Sequence, residues 1–197
     1  KIEKAIWMPT DINNKEQTIS EIEALDPYVE LVEQGNASGV ELWTLSRKLL
    51  HTMEFTANPG RNLKFYIKDK TSRKILGIIG LGSDVTSLGA RDDFIGWTKD
   101  NKFKDGKLKY TSIAATICCA QPLGYNFLGG KLVACLVTSS VVRDAWKKTY
   151  GQTLVGTSTT SLYGIHSMYN GIPHWKTLGE SKGRIALKPD DSTYEVW

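Results

Sequence analysis

Cysteine is scarce in this chain: Cys118, Cys119 and Cys135 are the three among 197 residues. An odd, small number without a C-x-x-C pair argues against a disulfide framework and a zinc ribbon. Cys118 and Cys119 are adjacent, so on a strand they point to opposite faces and are poorly placed to bridge each other. All three lie in apolar stretches and are expected to be reduced core residues, which implies a cytoplasmic protein. Long apolar runs are also missing. Nothing approaches the ~20 residues that span a bilayer, and no secretory leader opens the chain, so no membrane partner is expected. The first residue is Lys, and the initiating end is expected to be missing or processed. A strong charge of one sign is absent too. Lys and Arg number 25 against 21 Asp and Glu, a net +4, which permits a polyanionic partner without requiring one. The excess gathers at Arg61, Lys64, Lys68, Lys70, Arg73 and Lys74, then at Lys99, Lys102, Lys104, Lys107 and Lys109. A solvated Lys-rich face is the plainer reading of these groups. There is no internal repeat, no Walker loop, no Ser-His-Asp cue and no convincing metal spacing.

What is present is ordinary globular composition in a length suited to one domain over 1–197. Residues 1–56 read as a helical N-terminal segment. Ile19, Ile22, Leu25 and Val29 keep helical spacing from Glu16 to about Leu31, with Pro27 breaking it into two short helices and Asp26 as the second N-cap. Val40–Met53 reads as a helix with Leu42, Leu45, Leu49 and Met53 on one core-facing side. The period then changes. NLKFYIKD (Asn62–Asp69) alternates as a half-buried strand does, and KILGIIGLGSD (Lys74–Asp84) is a continuous apolar strand, so the two form an antiparallel hairpin. DFIGW (Asp93–Trp97) reads as a short strand. SIAATICCA (Ser112–Ala120) is apolar and rich in strand formers, hence central. Lys131–Thr149 reads as one amphipathic helix, Thr153–Leu162 as a Thr-rich strand, and Trp175–Leu187 as a closing hairpin. The order gives an α+β (mixed α/β) fold with a central mixed sheet flanked by helices.

The stretch Tyr110–Gly151 carries the clearest chemistry: a buried strand, a loop with Gly124, Gly129 and Gly130, and then a helix. A helix start presents unpaired N–H groups and the positive end of a dipole to an anion; the alternative is a plain Gly-rich turn. This order resembles the GNAT acyltransferase fold, in which the central strand leads into a pyrophosphate-binding loop, here QPLGYNFLGGK (Gln121–Lys131). On that resemblance residues 57–197 form a GNAT-like core. Gln121, Gly124, Gly129, Gly130 and Lys131 would then hold an acyl donor, either an acyl-CoA or an aminoacyl carrier. A narrower resemblance rests on RDDFIGW (Arg91–Trp97), PLGYNFLGGKLVA, RDAWKKTYG (Arg143–Gly151) and WKTLGESKGR (Trp175–Arg184). Together these blocks are similar to those of bacteriophage Mom-type DNA-modification proteins and of the DruA family of the Druantia anti-phage system. The Mom resemblance implies a transferase that adds a carbamoylmethyl- or aminoacyl-type group to a nucleobase amine, with DNA as partner in the bacterial cytoplasm. The other reading is a non-catalytic nucleic-acid-binding component of a phage defence or counter-defence system.

An exocyclic amine is a weak nucleophile, so such a site needs an extruded base, an aromatic wall, a polar reader and an acid or base. Asp93 can serve as base and Trp97 as stacking wall, with Arg91 beside them. The same residues also suit a structural Arg91–Asp pair with Trp97 in the core. Tyr169 stands where GNAT enzymes often place the acid that protonates the leaving group, or it is a packed tyrosine. His166 is a second base candidate or a structural histidine. Ser158 and Thr160 can bond donor or base, though Thr also simply favours strands.

Overall fold

The computed structural model describes residues 2–51, 53, 55, 59–120, 129–161 and 168–180. A five-stranded sheet in the order β1-β2-β3-β4-β5 forms its centre. Its strands are β1 (Pro27–Leu31), β2 (Asn62–Asp69), β3 (Ile75–Ser83), β4 (Thr111–Cys119) and β5 (Gly156–Ser158). The first four pair antiparallel, and β5 joins β4 in parallel. Around the sheet lie α1 (Ile2–Ala5), α2 (Lys15–Glu23), α3 (Ala37–Leu50), α4 (Gly89–Ile95), α5 (Lys99–Phe103), α6 (Gly129–Leu136) and α7 (Ser140–Tyr150). This is the mixed α+β sheet flanked by helices that the sequence indicates.

Alternation along β2 splits the core into two layers. Leu63, Phe65 and Ile67 join Val133 of α6, Val137 of the turn after it, and Val142 and Trp146 of α7 on one face, while Tyr66 joins Trp43 of α3 on the other. Cys118 and Cys119 follow the same parity, on opposite faces as expected. Two glycines allow the close approach of helices. A Cβ at Gly77 would lie 2.6 Å from Val133 Cγ2 and 2.8 Å from the Cys118 carbonyl, and one at Gly80 would lie 3.0 Å from the Trp43 ring. The Tyr150 hydroxyl ties α7 to the sheet by accepting from the Asn62 N–H at 2.7 Å and donating to its carbonyl at 2.9 Å.

Several sequence expectations are corrected. Pro27–Leu31 is an edge strand and not a second short helix; Pro opens it, where no ladder donor is needed, and the Asp26 N–H donates to Asp69 Oδ1. Asp93–Trp97 is not a strand, because Gly89–Ile95 is helical and closes at Gly96 with φ 73°. Lys131–Thr149 is broken into α6 and α7 at a turn through Thr138 and Ser139, whose N–H groups bond Cys135 and Leu136 carbonyls. A Val-Thr-Ser-Ser-Val-Val run is weakly helical, and Ser139 sits at the N-cap position of α7. The α3 face is rotated from expectation. Trp43, Ser46 and Arg47 are buried, whereas Leu45 and Leu49 are exposed. Cys135 is exposed on α6 and is not a core residue. The Thr-rich strand is reduced to three residues, and Trp175–Glu180 carries no strand. Residues 181–187 of the expected hairpin lie outside the described residues.

Candidate functional site

The β4–β5 ladder is short: it runs from Thr111↔Gly156 to Ile113↔Ser158. Beyond it the ladder ends, and the Thr159 hydroxyl donates to the Ala114 carbonyl at 3.0 Å. A cleft of about 850 Å³ opens beside this ladder end. One wall is the hydroxyl run Thr157, Ser158, Thr159, Thr160 and Ser161; a second is α4 with Arg91, Phe94 and Ile95; a third is the Tyr169–Glu180 segment; and Arg143 reaches it from α7. The size suits a nucleotide-scale ligand.

Each wall is held by identifiable bonds. The Ser112 and Thr157 hydroxyls pair at 2.9 Å. Tyr169 stacks on Trp175 with ring centroids 4.9 Å apart and planes 19° from parallel. Trp175 Nε1 donates to the Ala134 carbonyl at 3.1 Å, which fixes that stack against α6. Burial pushes the Tyr169 hydroxyl above its ordinary value, and a hydrogen bond with Thr159 offsets part of this. A tyrosine so placed stays protonated at neutral pH and can donate. Arg91 is 3% exposed and is anchored on both sides, to Asp84 at 2.8 Å and to Asp92 at 2.6 Å. Asp92 also takes Lys102, which donates a second bond to the Thr86 carbonyl at 3.0 Å. This cluster of two acids and two cations pins α4 and α5 to the strand end at Asp84. Outside it, exposed Arg143 and Lys176 outnumber exposed Glu180 at the cleft mouth, and Lys176 Nζ lies 4.3 Å from the Phe94 ring centroid.

The structure therefore brings Ser158, Thr160, Tyr169 and Arg91 to one cleft. For Arg91 it realises the structural pairing, with Asp92 and not Asp93 as the partner. Asp93 is exposed on α4 and does not line the cleft; Trp97 is half-buried, 5.3 Å from the Arg91 guanidinium, and also stands outside the lining. Gly129, Gly130 and Lys131 are elsewhere. Gly129 is buried, and a Cβ at Gly130 would lie 3.0 Å from Met168 Sδ and 3.9 Å from Cys119 Sγ. Met168 thus packs against Gly130, and the loop before Gly129 lies outside the described residues. Lys131 donates to the Asn170 carbonyl and so braces the Tyr169 turn. Gln121, Gly124 and His166 lie outside the described residues. Among the described residues no group of three or more His, Cys, Asp or Glu could hold a metal, and no helix is long and apolar enough to cross a membrane.

Trp175, Arg143 and Lys176 were not singled out from sequence. Trp175 and Lys176 open the WKTLGESKGR block and Arg143 opens the RDAWKKTYG block, which was the available signal; long-range folding brings the three to one cleft.

Comparison with known proteins gives one consistent result. No solved structure matches the chain. A curated relative, "Druantia protein DruA" of Escherichia coli (strain UMEA 4076-1), is 32% identical over 177 residues, covering 81% of this chain and 42% of the relative. The chain thus spans less than half of that protein's length. The family model for Druantia protein DruA matches residues 4–196, and the chain belongs to the DruA family.

Proposed function

We propose that this chain is the nucleic-acid-binding part of a Druantia-type phage defence component, acting in the bacterial cytoplasm, and that its cleft seats a single unstacked nucleobase of DNA. The observation that carries this reading is the Tyr169–Trp175 stack facing a row of hydroxyls under a positive mouth. Aromatic planes bind any base through its π-face. The Ser158 and Thr160 hydroxyls in that row can donate or accept as a base edge demands. Arg143 and Lys176 supply contacts for the flanking phosphates. DruA-family membership agrees with a place in such a system. Fluorescence anisotropy with a labelled single-stranded oligonucleotide across a salt series tests it. Two phosphate contacts give a log–log slope near −1.4 by counterion release, and Arg143→Glu with Lys176→Glu is expected to flatten it. Binding that ignores both salt and these variants overturns the reading.

A second reading, DNA base modification by group transfer, is favoured by half-buried Tyr169, whose hydroxyl bonds Thr159. In that reaction the base amine attacks the acyl carbon of a donor such as an acyl-CoA or aminoacyl carrier. The bond from that carbon to the leaving group breaks, the Tyr169 proton passes to the leaving group, and the proton the amine gives up returns to the Tyr169 oxygen. Mass spectrometry of nucleosides from DNA incubated with cell extract and protein decides it. A new nucleoside that disappears with Tyr169→Phe supports transfer, and an unchanged profile rejects it.

A further inference from the structure

Around the cleft several large apolar side chains stand in water. Phe94 and Ile95 at the end of α4 are 55% and 44% exposed, and Val155, on the approach to β5, is 77% exposed; all three line the opening. Apolar groups crowded at one exposed mouth call for an occupant. The charge around them says which kind. Lys176 sits on the Phe94 ring. Exposed Lys107 and Lys109 lead into Tyr110, whose carbonyl accepts the Val155 N–H at 2.8 Å, so the lysine segment adjoins the rim. A polyanion with apolar flat faces between its charges fits this surface, and a purely apolar protein face does not. Duplex DNA has that chemistry at a base step. Proteins that open such steps insert an apolar side chain between base pairs, and a base inside a duplex cannot reach a cleft until it leaves the stack. A wedge must also be rigid. Phe94 follows Arg91 and Asp92 on α4, both locked into the buried cluster with Asp84 and Lys102.

We propose that Phe94 is a wedge: it enters a base step of duplex DNA and holds open the gap from which a base has turned into the cleft. The inference rests on the base-seating reading of the cleft, and the experiment separates the two. A duplex carrying one 2-aminopurine reports unstacking as a rise in fluorescence, and a single strand of the same sequence, measured by anisotropy, reports seating alone. Wild-type protein is expected to bind the single strand and to raise duplex fluorescence. Phe94→Ala, at an exposed position that leaves the core intact, is expected to cut the duplex signal about tenfold, the scale of one aromatic–base stack. Any loss of single-strand affinity, since Phe94 also borders the cleft, should be clearly smaller than the loss of duplex signal, and Phe94→Trp should restore the duplex signal. Undiminished duplex opening by Phe94→Ala overturns the wedge and leaves the cleft reading standing. Absence of single-strand binding by wild type overturns the cleft reading and the wedge with it. An equal loss for both substrates in Phe94→Ala overturns the wedge, since it marks Phe94 as part of the seat.

Discussion

Replacing Asp92 by Asn tests how the cleft wall is held. The Asp92 carboxylate accepts from Arg91 Nε at 2.9 Å and Nη2 at 2.6 Å through one oxygen, and from Lys102 Nζ at 2.5 Å through the other. Neutralising it leaves Arg91, 3% exposed, paired with Asp84 alone, and Lys102, 10% exposed, with the Thr86 carbonyl in place of a carboxylate. Removing one member of a buried ionic group costs about 3–5 kcal/mol. Arg91 borders an open cleft, where the effective dielectric is well above that of a dry core, and Asn keeps one acceptor. A loss of about 2 kcal/mol at neutral pH is therefore expected. The pH dependence gives a second handle. Burial alone would raise the Asp92 carboxyl, but the hydrogen bonds and charges of Lys102 and Arg91 outweigh it and hold it below the ordinary range. A depressed carboxylate contributes stability that is full above its unfolded value, about 3.9, and is lost as pH falls through the lower folded value. The gap between wild type and Asp92→Asn should thus be steady near neutrality and close in acid. Urea unfolding followed by tryptophan fluorescence measures both. A variant within about 0.5 kcal/mol of wild type at neutral pH, or a gap that persists unchanged in strong acid, refutes the account of α4 anchoring.

Other expectations follow from single contacts. Gly77→Ala places its methyl against Val133 and a backbone carbonyl that cannot yield, so a loss at or above the ~1–3 kcal/mol typical of overpacking is expected in urea unfolding, and Gly80→Ala should cost less because the Trp43 ring can shift. Tyr150→Phe removes both hydroxyl bonds to Asn62 and leaves that residue's backbone under-satisfied, for about 1–3 kcal/mol in the same assay. Native-state titration with a thiol reagent should modify exposed Cys135 first. Cys118 should resist until unfolding, since burial pushes its thiol up to about 12 despite the opposing charge of Arg47. Simultaneous rapid labelling of Cys118 and Cys135 would show that the α3 side of the sheet opens readily.

The parts of the fold that sequence revealed are those where period and length agree. The β2–β3 hairpin was legible because Asn62–Asp69 alternates cleanly and Lys74–Asp84 is too apolar for an edge. α4 was not: DDFIG is too short to show a period, and its helical state depends on Arg91 and Asp92 finding Asp84 and Lys102, partners distant in sequence. The α3 face was misread because Leu42, Leu45 and Leu49 satisfy helical spacing as well as the true face does. What decides the rotation is Trp43 filling the space over Gly80 and donating Nε1 to the Phe65 carbonyl at 3.2 Å. The cleft was half legible. Ser158, Thr160 and Tyr169 were found because hydroxyls and a tyrosine follow a strand in an order with a known resemblance. The glycine pair was assigned to the donor because a helix start attracts anions in isolation; the packing of Met168 against Gly130 is a long-range contact that no local pattern shows. Trp175 gains its role only through the stack on Tyr169, a contact that no local pattern announces.

The most direct test compares wild-type affinity for a single-stranded oligonucleotide with that for an abasic strand of equal length and charge, then repeats both with Trp175→Ala. A base-seating cleft predicts that wild type prefers the base-containing strand by about tenfold, the worth of one stacked base, and that Trp175→Ala erases the preference while keeping the salt-dependent remainder. Equal affinity of wild type for the two strands would contradict it.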